Sequence, residues 1–119
     1  MALAPTTWNP ADKDAGGALS GGNLTYDGDT GIVRSVYSAT AGKYYWEVTY
    51  PVSVAGQMVG VATSSASVGN WPGGDAFGWA FDSGPGNIYT GATVVATSGI
   101  VPVTTLSVLL DADAEELRF

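Results

Sequence analysis

Carboxylates are the main reactive groups that the sequence offers. With no cysteine and no histidine, the chain cannot build a disulfide, a thiol nucleophile, a Cys/His zinc site or a Ser-His-Asp triad from its own residues. The segment Asp27-Gly28-Asp29-Thr30-Gly31 looks like the start of a calcium loop, because hard cations bind closely spaced carboxylates around a glycine turn. The twelfth position counted from Asp27 is Ser38, which cannot supply the bidentate carboxylate that such a loop needs. We therefore expect a polar hairpin turn between Tyr26 and Ile32, with no metal ion.

Acid–base catalysis by paired carboxylates is a second chemical possibility. A glycosidase needs two acids at a defined separation, one of them with a raised pKa. The carboxylates that could in principle converge are Asp75, Asp82, Asp111 and Asp113. Their spacing does not indicate that they do, and the simplest role of Asp111 and Asp113 is to accept backbone N–H groups in a turn. We therefore expect a protein that is not an enzyme and that carries no cofactor.

The longest polar loop, Ser64 to Gly74, carries a tryptophan that strand packing does not require. Trp71 lies between Asn70 and Pro72. Large aromatic side chains supply contact area at a low entropic cost and dominate many binding hot spots. We expect Trp71 to anchor a ligand; the alternative is that it folds back as a lid on the core.

Strands must hold these loops, because helical periodicity is nearly absent. In residues 44–50 every second residue falls on the same face of a strand. The face that points inward is predicted to carry Tyr44, Trp46, Val48 and Tyr50. Comparable runs begin at Ala18, Leu24, Ile32, Met58, Phe77, Asn87, Thr93, Thr105 and Glu116. About ten short strands separated by turn residues predict an all-β fold, an antiparallel two-sheet β-sandwich that forms one domain over residues 1–119.

The sandwich needs a core, and the hydrophobic strands indicate which side chains form it. The four side chains expected to seal the two layers are Trp46, Val61, Trp79 and Leu109. The run Leu106–Leu110 is expected to lie centrally with both faces covered. Trp8 is expected to plug one end of the sandwich.

The charge balance narrows the choice of partners. The sequence has four Lys and Arg residues and 11 Asp and Glu residues, which gives a formal net charge of −7. The basic residues are scattered, which excludes nucleic acid as a partner, because phosphates require a clustered basic face. An acidic protein favours a basic or neutral partner surface, and the alternative is that the negative charge serves solubility. Glu47, on the polar parity of its strand, is expected to pair with Lys43 or Arg34.

The beginning of the sequence lacks the basic and apolar regions of a secretory signal, and no apolar run approaches the ~18 residues of a membrane span. We therefore expect no membrane insertion. The location itself stays open from the sequence: a virion if a phage encodes the protein, and otherwise the cytoplasm.

Several motifs occur in an order that is typical of one known family. They are Trp8-Asn9-Pro10-Ala11-Asp12-Lys13, Leu19-Ser20-Gly21-Gly22-Asn23-Leu24-Thr25, Arg34-Ser35-Val36, Gly42-Lys43-Tyr44-Tyr45-Trp46-Glu47-Val48, Val59-Gly60-Val61-Ala62-Thr63, Gly78-Trp79, Leu109-Leu110-Asp111-Ala112-Asp113 and Leu117-Arg118-Phe119. Together they resemble the SPRY domain, the core of B30.2 modules. The resemblance covers the chain from Trp8 onward. Within the family, the sequence is most similar in character to the small SPRY proteins of bacteriophages and their bacterial hosts.

The resemblance implies a bent two-sheet sandwich of the concanavalin-type jelly-roll architecture that binds and does not catalyse. The family presents variable loops to a short peptide or a protein surface, and two of these loops correspond to Asp27–Gly31 and Ser64–Asp75. The candidate ligand-binding residues are therefore Tyr26, Asp27, Asp29, Thr30, Ser67, Asn70, Trp71 and Asp75.

Two departures from the family pattern carry expectations. Relatives continue beyond Leu-x-Phe with strands that complete the sheets, whereas this sequence stops at Phe119. Because unpaired edges attract strands, we expect strand donation by a partner chain, a homo-oligomer, or a sequence that is truncated relative to the natural protein. Where many relatives have an Asp/Asn-Gly turn, Asp113–Glu116 predicts a helical-type turn.

Three functions remain open from the sequence. The first is a recognition module for a protein or short peptide. The second is a structural or decorating subunit of a virion, completed by a neighbouring strand. The third is a glycan-binding module in which Trp71 and nearby tyrosines stack on sugars.

Overall fold

The computed structural model describes residues 6–50, 56–99 and 104–119. These residues form strands and turns and no helix, and every strand pairing is antiparallel. The strands are β1 (Trp8–Lys13), β2 (Ala18–Ser20), β3 (Thr25–Asp27), β4 (Val33–Ser35), β5 (Lys43–Thr49), β6 (Met58–Ala62), β7 (Gly78–Asp82), β8 (Asn87–Thr90), β9 (Thr93–Thr97), β10 (Thr105–Asp111) and β11 (Glu116–Arg118). The predicted all-β class is confirmed.

The chain divides into two compact units. The first comprises Met1–Ser38 and Ser67–Trp71, and the second comprises Ala39–Ala66 and Pro72–Phe119. That residues 1–119 act as one domain stays a prediction.

The first unit is built from two small sheets. β1 pairs with β4, and β2 pairs with β3 through a turn at residues 21–24. The sequence did not predict β1, because Pro10 interrupts the pattern; the ladder to β4 is correspondingly irregular, since proline has no N–H to donate. The expected hairpin between Tyr26 and Ile32 is wrong: β3 and β4 pair with different strands, so residues 28–32 connect two sheets.

The second unit contains the two sheets of the sandwich. One sheet has the order β11-β10-β5, and the other has the order β6-β7-β8-β9. In the long β5–β10 ladder Trp46 lies opposite Val108 and Val48 lies opposite Leu106. The β5 side chains alternate between exposed and half-buried as the sequence parity predicts.

A small apolar core joins these two sheets. Its buried members are Tyr50, Phe81, Leu106 and Val108, and the partly buried side chains packed against them are Trp46, Val59, Ile88, Leu117 and Phe119. The rings of Phe81 and Phe119 are tilted by 31° with centroids 5.8 Å apart, a favourable arrangement for two aromatic rings. The two-sheet packing predicted from the sequence is therefore present.

Two of the four side chains expected to seal the core are exposed. Trp79 is 41% exposed and Leu109 is 48% exposed. Leu109 alternates with the buried Val108 on a strand that is central in its sheet but covered on one face only. Trp79 shares the parity of Phe81 on β7 but lies outside the core cluster. Trp46 packs against the core as predicted, and Val61 is half-buried.

The turn between β10 and β11 spans residues 112–115, and it ends with Glu115 at a φ of 56°. One carboxylate oxygen of Asp111 accepts hydrogen bonds from the backbone N–H groups of Asp113 (3.2 Å) and Ala114 (3.0 Å). The predicted role of Asp111 in the turn is thus confirmed. No helix among the residues placed by the structure is long and apolar enough to cross a membrane.

Candidate functional site

Tyr26 packs against the acidic loop Asp27–Gly31 in the first unit. Its ring is flanked by Gly17 and Gly28, because a Cβ at either position would collide with it. The hydroxyl donates a 3.2 Å hydrogen bond to the carbonyl of Gly31. Burial, and then the charges of Asp14 and Asp27, raise the pKa of the Tyr26 phenol above its ordinary value. Tyr26 therefore holds the acidic loop in place as a neutral hydrogen-bond donor.

Asp14 organises the same region, and the sequence reasoning missed it. Its backbone N–H donates to the carbonyl of Ile32 (2.8 Å), and its carboxylate accepts from the N–H of Gly16 (2.9 Å). The ammonium group of Lys13 donates to the carbonyls of Asp14 (3.1 Å) and Gly17 (2.7 Å). The signal available in the sequence was Asp14-Ala15-Gly16-Gly17, because an aspartate two residues before a glycine often forms such a turn.

A backbone hydrogen bond joins the two candidate loops within the first unit. The N–H of Ile32 donates to the carbonyl of Val68 at 2.9 Å. A Cβ at Gly31 would lie 2.7 Å from that carbonyl and would collide with Asp14, so the close approach requires glycine. The segments Asp27–Gly31 and Ser67–Trp71 are thus neighbours.

The segment Ser67–Trp71 is a short turn that places Trp71 at its end. The N–H of Asn70 donates to the carbonyl of Ser67 (3.3 Å), and the side-chain oxygen of Asn70 accepts from the N–H of Trp71 (2.9 Å). Ser67 is exposed, whereas Asn70 and Trp71 are half-buried. Asp27, Asp29 and Thr30 of the acidic loop are exposed, so contact groups from both segments are accessible.

Asp75 differs from the other candidate residues in the unit to which it belongs and in its contacts. It belongs to the second unit, where its carboxylate accepts the N–H of Phe77 (2.9 Å) and its carbonyl accepts the N–H of Gly91 (2.9 Å). The carbonyl of Gly73 accepts the N–H of Ala92 at 2.9 Å. Residues 73–75 therefore stabilise the turn between β8 and β9 by backbone hydrogen bonds, so Asp75 has a structural role.

The first unit is acidic around these loops. Its described residues contain four carboxylates, Asp12, Asp14, Asp27 and Asp29, and two cations, Lys13 and Arg34. Arg34 makes a bidentate ion pair with Asp12 at 2.7 Å, and the hydrogen bonds from its guanidinium lower the pKa of Asp12 below its ordinary value. The segment Asp27–Gly31 itself contributes two exposed carboxylates, Asp27 and Asp29, and no cation.

The carboxylates considered as a possible catalytic pair each have a structural partner. Asp82 is buried and accepts the N–H groups of Gly56 (3.0 Å) and Gly84 (3.1 Å). Asp111 pairs with Lys43 at 3.1 Å, and the backbone N–H of Ala114, followed by Lys43, lowers the pKa of Asp111.

Asp113 accepts the N–H of Gly42 at 3.0 Å. Across residues 6–50, 56–99 and 104–119 no cluster of three or more His, Cys, Asp or Glu side chains could hold a metal ion.

Two expected surface pairs of Glu47 are wrong. Lys43 pairs with Asp111 and Arg34 pairs with Asp12, while Glu47 accepts a hydrogen bond from the Tyr45 hydroxyl on its own strand. Residues two apart on a strand lie on the same face. The Tyr45 hydroxyl can therefore reach the Glu47 carboxylate, which has this partner in place of a cation.

A shallow cavity of about 230 Å³ lies in the second unit, at the end of the three-stranded sheet. Its lining residues are Lys43, Tyr44, Leu109, Leu110, Asp111, Glu116 and Arg118. None of the predicted ligand-binding residues lines it, and its two cations face two carboxylates. It therefore has no net charge with which to select a ligand.

The comparisons with known proteins agree with this architecture. No curated protein matches the chain. The model of the SPRY domain matches residues 43–119, from the first residue of β5 to the end of the sequence. The match spans both sheets of the sandwich and well over half of the sequence. The chain therefore belongs to the SPRY domain family.

Proposed function

We propose that this protein is a non-catalytic module that binds a short peptide or a protein surface through the segments Asp27–Gly31 and Ser67–Trp71 of its first unit. SPRY domains are protein-interaction modules, which supports a binding role. The observation that carries the choice of site is the Ile32–Val68 hydrogen bond, because it places an exposed acidic loop beside a segment that contains tryptophan. Asp75, which fastens a turn elsewhere, is left out of the proposed contact surface.

The proposed mechanism is recognition by preorganised loops. Tyr26, Asp14 and Gly31 fix the acidic loop before a ligand arrives, so little conformational entropy is lost on binding. Trp71 supplies apolar contact area, and the carboxylates of Asp27 and Asp29 attract a basic partner. The favoured ligand is a peptide that combines a cationic side chain with an apolar one.

Selection from a displayed library of short random peptides, with the full chain as bait, tests this proposal. We expect the selected peptides to be enriched in Lys or Arg. Trp71→Ala should weaken their binding by more than about tenfold while the circular dichroism spectrum is kept. The matched control is Trp79→Ala, which removes an exposed tryptophan of the second unit and should leave affinity within about twofold.

A second variant tests the charge contribution. Asp29→Asn should slow association with a cationic peptide a few-fold and reduce the dependence of the rate on salt. Glu116→Gln, which removes one exposed charge elsewhere, should leave the rate unchanged. If both variants slowed association equally, the attraction would come from the net charge of the whole protein and not from Asp29, which would contradict the proposed loop site.

The virion and glycan alternatives predict different results. A glycan module would bind members of a glycan array and change its tryptophan fluorescence with added sugar, while the peptide selection would fail. A virion subunit would become ordered on a symmetric particle. Either result without an enriched peptide would overturn the proposed function.

A further inference from the structure

β5 is an outer strand of the three-stranded sheet in the second unit. The order of that sheet is β11-β10-β5, and in the part of the chain that the structure describes no strand pairs with the other edge of β5. The ladder from Lys43–Thr49 to β10 runs over seven consecutive residue pairs without a register shift. The strand also contains no proline. β5 is therefore a regular edge that lacks two common obstacles to pairing with another chain, a bulge and a proline.

Backbone hydrogen bonds at the two ends of the ladder show which groups of β5 face this open edge. The N–H of Tyr50 donates to the carbonyl of Thr104 (2.7 Å), and the N–H of Ala112 donates to the carbonyl of Gly42 (2.8 Å). Both pairs continue the register between β5 and β10, so the even-numbered residues of β5 bond to β10. Because hydrogen-bonded and non-hydrogen-bonded pairs alternate in an antiparallel ladder, the backbone groups of the odd-numbered residues point away from β10. The odd-numbered residues, whose side chains are all exposed, are Lys43, Tyr45, Glu47 and Thr49.

The two charges on this edge have opposite signs and lie four residues apart. Charged side chains usually protect an edge strand, but in an antiparallel pair of identical strands they meet each other. With a two-fold axis beside Tyr45, each Lys43 lies opposite Glu47 of the other copy. The Lys43 ammonium group is 80% exposed although it pairs with Asp111, and it has three N–H donors. Opposite charges directly across from each other stabilise a pair of strands, so these charges favour self-pairing.

Charge also selects one register for this pairing. An axis beside Glu47 would set the two Glu47 carboxylates against each other, which destabilises a pair of strands. An axis beside Trp46 would set Lys43 opposite Thr49 and leave both charges opposite uncharged side chains. Among the axes that keep the odd-numbered residues opposite one another, the axis beside Tyr45 alone pairs both charges.

The same axis brings exposed apolar side chains together. Tyr45 is 58% exposed and lies opposite Leu109 of β10, which is 48% exposed. At the axis the two Tyr45 residues are opposite each other, so an apolar row made of both residues and their counterparts crosses the interface. The Tyr45 hydroxyl donates to the Glu47 carboxylate and lies 3.3 Å from the Ser107 hydroxyl. These contacts hold the ring on this face before association, which lowers the entropic cost of pairing.

We infer that β5 pairs with β5 of a second copy of this chain, antiparallel and about a two-fold axis beside Tyr45, so that two three-stranded sheets become one continuous sheet. A two-fold interface requires a self-complementary surface, and the Lys43 and Glu47 side chains supply it. No residue of the proposed peptide site belongs to β5, so failure of the pairing and failure of the peptide site are distinguishable.

Hydrogen exchange of the full chain over a concentration series tests the pairing residue by residue. In dilute solution the backbone amides of Tyr45 and Glu47 face the open edge, so they should exchange faster than those of Trp46 and Val48, which bond to β10. At high concentration the amides of Tyr45 and Glu47 should slow, whereas the other two should change little. Sedimentation equilibrium over the same series should show a reversible transition from the mass of one chain to the mass of two chains.

The variants Glu47→Lys and Lys43→Glu test the charge pairing. In each variant alone, like charges lie opposite each other across the interface, which should weaken self-association by more than about tenfold. An equal mixture of the two variants restores opposite charges at both positions. It should form a two-chain species about as strongly as the parent chain does. Circular dichroism of each variant alone establishes that the single chain remains folded.

The matched charge control is Glu116→Lys, which makes the same change of charge on β11, the other outer strand of the sheet. It should leave self-association within a few-fold of the parent chain. A further variant, Tyr45→Lys, sets two cations against each other at the axis while the Lys43–Asp111 ion pair is kept. It should also weaken self-association by more than about tenfold.

Four results would overturn the pairing. One is a single-chain mass at millimolar concentration, and another is a mixture of the two charge variants that associates no better than either variant alone. The third is association during which the amides of Tyr45 and Glu47 continue to exchange fast, because the interface would then lie elsewhere. The fourth is slower exchange of these amides only after a different protein is added, which would assign the edge to that protein.

Discussion

The backbone N–H of Ile32 donates a 2.9 Å hydrogen bond to the carbonyl of Val68, although 36 positions separate the two residues along the chain. Ile32 is buried, so its N–H has little access to water as an alternative partner, and an unpaired buried N–H is expensive. Gly31 makes the approach possible, because a Cβ there would lie 2.7 Å from the Val68 carbonyl. The geometry of the candidate site therefore depends on one glycine.

Gly31→Ala should destabilise this contact. The added methyl group meets backbone and the Asp14 side chain, and overpacking of this kind costs about 1–3 kcal/mol. We expect a lower free energy of unfolding in urea and faster hydrogen exchange at the N–H of Ile32. The control is Gly69→Ala in the neighbouring segment, where a Cβ meets nothing closer than 3.9 Å. Equal stability of the two variants would show that the loops are not tightly joined.

The Asp12–Arg34 ion pair should make stability depend on acid pH. Hydrogen bonding to Arg34 lowers the pKa of Asp12 in the folded state, so the pair stabilises the fold above the unfolded pKa of about 3.9. This stabilisation is lost as the pH falls through the lower folded-state value. Because the side chains are 36% and 20% exposed, we expect the pair to contribute no more than about 1 kcal/mol at neutral pH.

Urea unfolding of Asp12→Asn measures this contribution. The variant should be less stable than the parent chain at neutral pH, and the difference should shrink as the pH falls below about 3.9. Glu116→Gln is the control, since the Glu116–Arg118 pair is more exposed, at 57% and 68%. A stability difference for Asp12→Asn that is independent of pH would rule out the electrostatic origin.

Two aromatic residues of β7 test where the core lies. Phe81 is 2% exposed and packs against Phe119, whereas Trp79 on the same face is 41% exposed. Phe81→Ala should cost about 3–5 kcal/mol, because it leaves a cavity in the core. Trp79→Ala should cost less than about 1 kcal/mol, although tryptophan is the larger side chain. Thermal and urea unfolding of both variants measures the contrast, and the reverse order would move the core towards Trp79.

The sequence predicted the strands well because their signal is local. Alternation in 44–50 identified the half-buried face of β5, and the turn residues separated most of the other strands. Alternation along a strand shows which face a side chain lies on but not how deeply it is buried. It could place Trp79 and Phe81 on the same face of β7, but it could not show that only Phe81 belongs to the core. The exposed position of Leu109 was not predicted, because three apolar residues follow one another in Val108–Leu110 and conceal the alternation.

The candidate site was predictable only in part, because its contacts join distant segments. Glycine and aspartate marked the loop Asp27–Gly31, and polar residues around Trp71 marked the loop Ser64–Asp75. The sequence contains no sign of the Ile32–Val68 hydrogen bond. Asp75 looked equivalent to the other loop residues until its hydrogen bonds to the Phe77 and Gly91 amides were seen. β1 was missed because Pro10 disrupts the strand pattern, and its partner β4 lies 20 residues or more along the chain.

Removal of two tyrosine hydroxyls should have opposite effects on stability. The Tyr50 hydroxyl is buried with no hydrogen-bond partner among the described residues, and burial, followed by the charge of Asp82, raises the pKa of its phenol. An unsatisfied buried hydroxyl costs about 1–3 kcal/mol, so Tyr50→Phe should stabilise the protein. Tyr26→Phe deletes the hydrogen bond to the Gly31 carbonyl and should destabilise it by about 0.5–1.5 kcal/mol. Urea unfolding at neutral pH, where both phenols are protonated, compares the same atomic change at the two sites.

Two outcomes would contradict this prediction. A loss of stability in Tyr50→Phe would show that the Tyr50 hydroxyl has a hydrogen-bond partner. An unchanged stability in Tyr26→Phe would show that the Tyr26 hydroxyl does not support the acidic loop.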